Sequence, residues 1–212
     1  MAVVESGKTH ATNAQAMEHD VSDLTEREIG RIIKSAVTPR PIAWISTTGE
    51  NGIDNLAPFS SYNYVSSSSP VLLFNSPNEE HGGLKDTARN AVETGEFAVN
   101  VVTESVAEAM DESSASLPPD ESEFEFTGVE RADCTQIAAP RVADAVVTME
   151  CTLYDTWTVH DRLVVLGDVV HVHVSDDVVT DGQIDAEKFT TVGRLGGPYY
   201  TLGERMELER KF

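Results

Sequence analysis

The chain has 212 residues, 40% of them apolar and 24% charged, a composition that suits a folded domain able to bury its own core. Fifteen basic residues against thirty-six acidic ones leave a net charge of −21, which argues against nucleic acid and anionic membrane surfaces as partners because both are repelled at long range. No run approaches the ~18 apolar residues of a membrane span, and the start of the chain lacks the basic-then-apolar pattern of a secretory leader, so the expected location is the cytoplasm.

Residues 1–20 are polar and aperiodic and read as an extension, with the domain spanning 21–212. Thr25 and Glu28 have capping-box spacing, with Leu24 and Ile29 placed as a hydrophobic staple, and the helix they start ends before Pro39. Strands follow over 41–48, 53–62 and 70–76, with Gly49-Glu50-Asn51-Gly52 as the first turn. Apolar residues at Leu84, Ala88, Ala91 and Val92 predict a helix over 84–94, closed by Gly95. A strand over 97–102 and a short helix over 103–110 come next. The Ser-rich, acidic stretch 111–126 reads as a mobile surface loop. Long strands over 146–157 and 163–174 form a hairpin turning near His160-Asp161. The dominance of short strands and turns predicts a mainly β barrel or sandwich with a few helices.

Three places carry candidate chemistry. Gly82-Gly83-Leu84-Lys85-Asp86-Thr87 stands before a helix, where free N–H groups bind phosphate. A lysine in a first turn opposes the helix dipole, and a bound anion would offset it; on these residues alone, Lys85 paired with a nearby acid is the simpler reading. Asn55-Leu56-Ala57-Pro58-Phe59-Ser60-Ser61 combines small residues, hydroxyls and a proline, which lets a backbone approach a planar ligand but equally suits a strand ending in a polar turn. His171 and His173 share a strand face opposite Val170, Val172 and Val174. Two histidines at i, i+2 can bind a metal, yet no third ligand is indicated nearby, so they read as a solvent-facing or interface pair and no metal is expected. Cys134 and Cys151 form no C-x-x-C and are expected to stay reduced. The absence of G-x-S-x-G, H-E-x-x-H and G-x-G-x-x-G weakens hydrolase, zinc-protease and Rossmann readings.

Taken together, ordered blocks of the sequence resemble the flavin reductase-like, FMN-binding split-barrel proteins. They are Thr38-Pro39-Arg40-Pro41-Ile42-Ala43-Trp44-Ile45-Ser46-Thr47, Asn55 to Ser60, Lys85-Asp86-Thr87-Ala88-Arg89-Asn90, Gly95 to Val101, and Val192-Gly193-Arg194-Leu195-Gly196-Gly197 with Tyr199-Tyr200. The resemblance implies a Greek-key split β-barrel with a few flanking helices, a homodimer, and FMN near the subunit interface. It places Ser46, Thr47, Asn55, Leu56, Ala57, Pro58, Phe59, Ser60 and Ser61 around the ring and ribityl chain. It places Lys85, Asp86 and Thr87 at the phosphate, with Arg194 as a further candidate, and reverses the preference for a merely capped helix. The implied activity is NAD(P)H-dependent flavin reduction, with chemistry carried by FMN and no indispensable catalytic side chain. The alternatives are an FMN electron carrier reduced by a protein partner, and a barrel that has lost flavin and acts as a binding module. Ten arginines against five lysines on an acidic chain also resemble proteins of high-salt cytoplasm.

Overall fold

In the computed structural model, which describes residues 17–203, helix α1 (Glu26–Ala36) starts where the capping box predicts. Glu28 N–H donates to Thr25 Oγ1 at 3.3 Å and Thr25 N–H donates back to the Glu28 carboxylate at 2.9 Å. Most of the expected 1–20 extension lies outside the described residues.

Strands β1 (Arg40–Pro41), β2 (Ala43–Thr48), β3 (Asp54–Phe59), β4 (Tyr62–Ser66) and β5 (Val71–Pro77) lead to helix α2 (Asp86–Glu93) and strand β6 (Glu96–Val101). Helices α3 (Ala107–Glu112) and α4 (Glu123–Thr127) and the short strands β7 (Arg131–Ala132) and β8 (Arg141–Val142) precede a long hairpin, β9 (Val147–Val159) and β10 (Arg162–Val174). Strands β11 (Val179–Thr180), β12 (Gln183–Ile184), β13 (Val192–Arg194) and β14 (Tyr200–Leu202) complete the described chain.

Seven strands form one antiparallel sheet in the order β3-β2-β6-β9-β10-β5-β4. Its edge strands, β3 and β4, are consecutive in the chain and joined only through Ser60 and Ser61. The two edges therefore come within roughly 11 Å of each other at that link, since a residue advances the chain by at most ~3.6 Å. The sheet must curl, and Ser60 and Ser61 mark the seam of the resulting split barrel. The expected single strand over 53–62 is thus two strands, broken where the chain crosses from one edge to the other.

Both faces of β2 are covered, which explains its run of buried residues. Ala43 and Ile45 face a barrel interior shared with Phe59, Phe74, Phe97, Val165 and the α2 residues Ala88 and Ala91. Ile42 and Trp44 face a second core with Met110 of α3, Phe124 of α4, Val142 and Val192. The expected loop over 111–126 is corrected here: part of it is helix, and Phe124 is buried in that second core. Alternating Glu and Phe in α4 has neither helical nor loop-like periodicity, which hid it. A small sheet, β1-β13-β14, lies beside this second core, with Arg40 opposite Arg194 in register.

Candidate functional site

Helix α2 is anchored to β2 and β3 by buried polar side chains. Thr87 Oγ1 donates to Asn55 Oδ1 at 2.5 Å, and Asn90 Nδ2 donates to Thr47 Oγ1 at 3.1 Å. Asn55 Nδ2 and Leu56 N–H both donate to Glu123 Oε2, at 2.9 and 3.0 Å. Burial pushes the Glu123 carboxyl above its ordinary range, against the Leu56 and Asn55 donors that favour its charge. Asn55, Asp86, Arg89, Asn90 and Glu123 line a cavity of about 230 Å³.

The α2 N-terminus has no side-chain cap, because Lys85 occupies the N-cap position and makes no cap hydrogen bond. Asp86 is taken by Arg89, at 2.5 Å. Among the described residues Lys85 has no side-chain hydrogen bond or ion pair, so it is not the acid-paired lysine of the simpler sequence reading. An exposed ammonium at an uncapped helix start is an anion-binding arrangement.

A second set of expected residues meets at the barrel seam. Pro58, Ser60 and Arg194 line a cleft of about 200 Å³ with Ile42, Met110, Asp111, Ser114 and Tyr200. The Arg194 guanidinium lies 4.4 Å from the Tyr200 ring centroid, and the Tyr200 hydroxyl donates to Asp111. Burial and then Asp111 push the Tyr200 hydroxyl up, so it stays a donor at neutral pH. Arg40, in contrast, clamps the fold: it donates to the carbonyls of Lys34, Val37 and Leu195 at 2.6, 2.8 and 3.1 Å.

The remaining expected residues are placed as follows. Ser46 is fully buried and its hydroxyl donates to the Pro140 carbonyl at 2.5 Å. Leu56 belongs to the second core and Phe59 to the barrel interior, with Ala57 packed against the latter. Ser61 Oγ donates to the Asn75 carbonyl at 2.9 Å. Sequence reasoning did not single out Ser76, a fully buried residue that lines none of these cavities and whose hydroxyl has no partner among the described residues. It also missed Met110, Asp111 and Ser114 as cleft residues, because α3 and the turn after it reach β13 only through the tertiary fold.

The family model of the flavin reductase like domain matches residues 35–190. The chain belongs to that family. An uncharacterized protein of Aquifex aeolicus is 37% identical over 185 residues, covering 87% of this chain and 94% of its own length. Among solved structures, nitrilotriacetate monooxygenase component B from Bacillus cereus has a TM-score of 0.86 at 32% identity, over 93% of this chain and all of that one. A Shewanella frigidimarina protein with a split barrel domain has a TM-score of 0.77 at 25% identity, over 93% of this chain and 100% of that one. This flavin reductase-like chain has no helix, among the described residues, long and apolar enough to cross a membrane.

Proposed function

We propose that the chain is an FMN-binding oxidoreductase that takes electrons from NAD(P)H, a flavin reductase working as a homodimer in the cytoplasm. The observation that carries FMN in particular is Lys85: an unpaired cation at the open start of α2 fits a terminal phosphate. The Ser60 hydroxyl at the seam, without a hydrogen bond among the described residues, fits a ligand rich in hydroxyls and ring nitrogens.

In this reading Lys85 and the first N–H groups of α2 hold the phosphate, with Thr87 fixed behind them by Asn55. Ala57, Pro58, Ser60 and Ser61 border the ring, and Arg194 closes the cleft from β13. Ser46, Thr47, Leu56 and Phe59 shape the strands beneath, their side chains being buried in the protein. Bound FMN supplies hydride acceptance and one- or two-electron transfer. The side chains orient it and shield one face, and none has to move a proton. Tyr64, Tyr154, Trp157, Val170 and Val172 are large apolar side chains left exposed, which supports a partner subunit.

Equilibrium titration with FMN tests the assignment. Lys85→Ala is expected to weaken FMN by about 1.5–3 kcal/mol, the scale of a charged hydrogen bond, with the fold intact. Unchanged affinity would move the phosphate elsewhere.

A further inference from the structure

On the outer side of the sheet, three kinds of metal-ligating side chain distant in sequence converge. Cys151 faces the barrel interior, so strand alternation turns its neighbour Glu150 outward. Glu150 is fully buried there. Its Oε1 accepts the Thr135 N–H at 2.7 Å and its Oε2 accepts the Gln136 N–H at 2.6 Å. Cys134 directly precedes this pair, so the turn that grips the carboxylate also carries the thiol to it. From β10, His173 Nε2 lies 2.5 Å from Glu150 Oε1. A bulge between Val169 and His171 shifts the register, so His171 pairs opposite Glu150 while His173 reaches it diagonally. The Cys134 thiol, the Glu150 carboxylate and the His173 ring each present one ligand atom within 4.8 Å of the others. One of the two histidines therefore takes part, and the two further ligands that the sequence did not indicate come from β9 and the 134–136 turn.

Two backbone N–H groups leave this fully buried carboxylate with open lone pairs and an unbalanced charge, and the groups brought to that side are an imidazole and a thiol. We propose that Cys134, Glu150 and His173 form a binding site for a zinc-class divalent transition-metal ion. Sulfur, nitrogen and oxygen donors together suit such an ion and disfavour calcium and magnesium, which select oxygen. Three protein ligands with a fourth position left to water is a familiar tetrahedral arrangement for zinc. Thiolate and carboxylate together balance a dication, the thiol proton passing to solvent as the metal binds. The Thr135 and Gln136 N–H groups orient the carboxylate from behind, as outer-shell partners do. Cys134 is only partly buried and the His173 side chain is 23% exposed, so an ion can enter. The bound ion would tie the 134–136 turn to β9 and β10, and the site shares no residue with the flavin assignment.

The test uses the full, untagged chain stripped with chelator and titrated with Co²⁺ and then Zn²⁺. One Co²⁺ per chain is expected, with a thiolate-to-cobalt charge-transfer band in the near ultraviolet that Zn²⁺ abolishes. Cys134→Ser should remove that band and weaken Zn²⁺ by ~10-fold or more, and His173→Gln should weaken it similarly. His171→Ala should keep the band. Zn²⁺ should also raise the melting temperature of the native chain and not of Cys134→Ser. Melting of each variant without metal checks its fold, and Cys134→Ala replaces serine if serine disturbs it. Absence of binding, Co²⁺ bound without the charge-transfer band, or native Zn²⁺ affinity in folded Cys134→Ser would overturn the proposal.

Discussion

Thr87 and Asn55 are 32 residues apart in the chain, and the buried Thr87 hydroxyl donates to Asn55 Oδ1 at 2.5 Å. This bond fixes the start of α2 over β3, and Asn55 passes the connection on to Glu123 of α4. Replacing Thr87 by valine keeps the shape and leaves Asn55 Oδ1 buried without its donor. Thr87→Val is expected to lose about 1–3 kcal/mol of stability in denaturant titration, and Thr87→Ser much less. Equal stability of the valine variant and the native chain would show that the bond does not anchor the helix.

Glu123 makes stability depend on pH in a defined direction. Burial raises its folded pKa above the unfolded value of 4.5, so the native state holds its proton more tightly. Its contribution is favourable below that unfolded value and is lost as pH rises through the folded pKa. A glutamine at this position accepts from Asn55 and Leu56 without carrying charge. Glu123→Gln should therefore gain stability relative to the native chain as pH rises from about 4 to neutrality. Melts across that range measure the difference, and a constant offset would contradict the sign.

Net charge of −21 makes self-repulsion a substantial force in dilute buffer. Salt shortens its range to ~10 Å at 0.1 M and ~3 Å at 1 M. The melting temperature should accordingly rise between dilute and multimolar salt. Identical melting at both would remove the comparison with high-salt proteins.

Local signals were legible in the sequence wherever the physics is local. The Thr25–Glu28 box sets the start of α1, Gly95 follows α2 with φ +75°, and His160 and Asp161 turn the β9–β10 hairpin. Features made by distant segments were not legible. The break at Ser60 comes from sheet closure, and the pairing of β1 with β13 joins residues more than a hundred positions apart. The site residues show the same division. Lys85 at the head of α2 could be read from helix chemistry, and the resemblance marked Arg194. The Asp111–Tyr200 contact needed the fold. His171 and His173 were visible as a pair, but the alternation that faces Glu150 toward them, and the turn that brings Cys134, were not.

The most direct test of the flavin reading is an absorbance spectrum of the purified chain, mixed with FMN, desalted in high salt, and then treated with NADH or NADPH without oxygen. The account predicts retained flavin bands that bleach with at least one nucleotide. Bands that persist with both would contradict the reductase assignment and indicate a carrier reduced by a protein partner. No retained flavin after FMN addition would contradict the cofactor assignment itself.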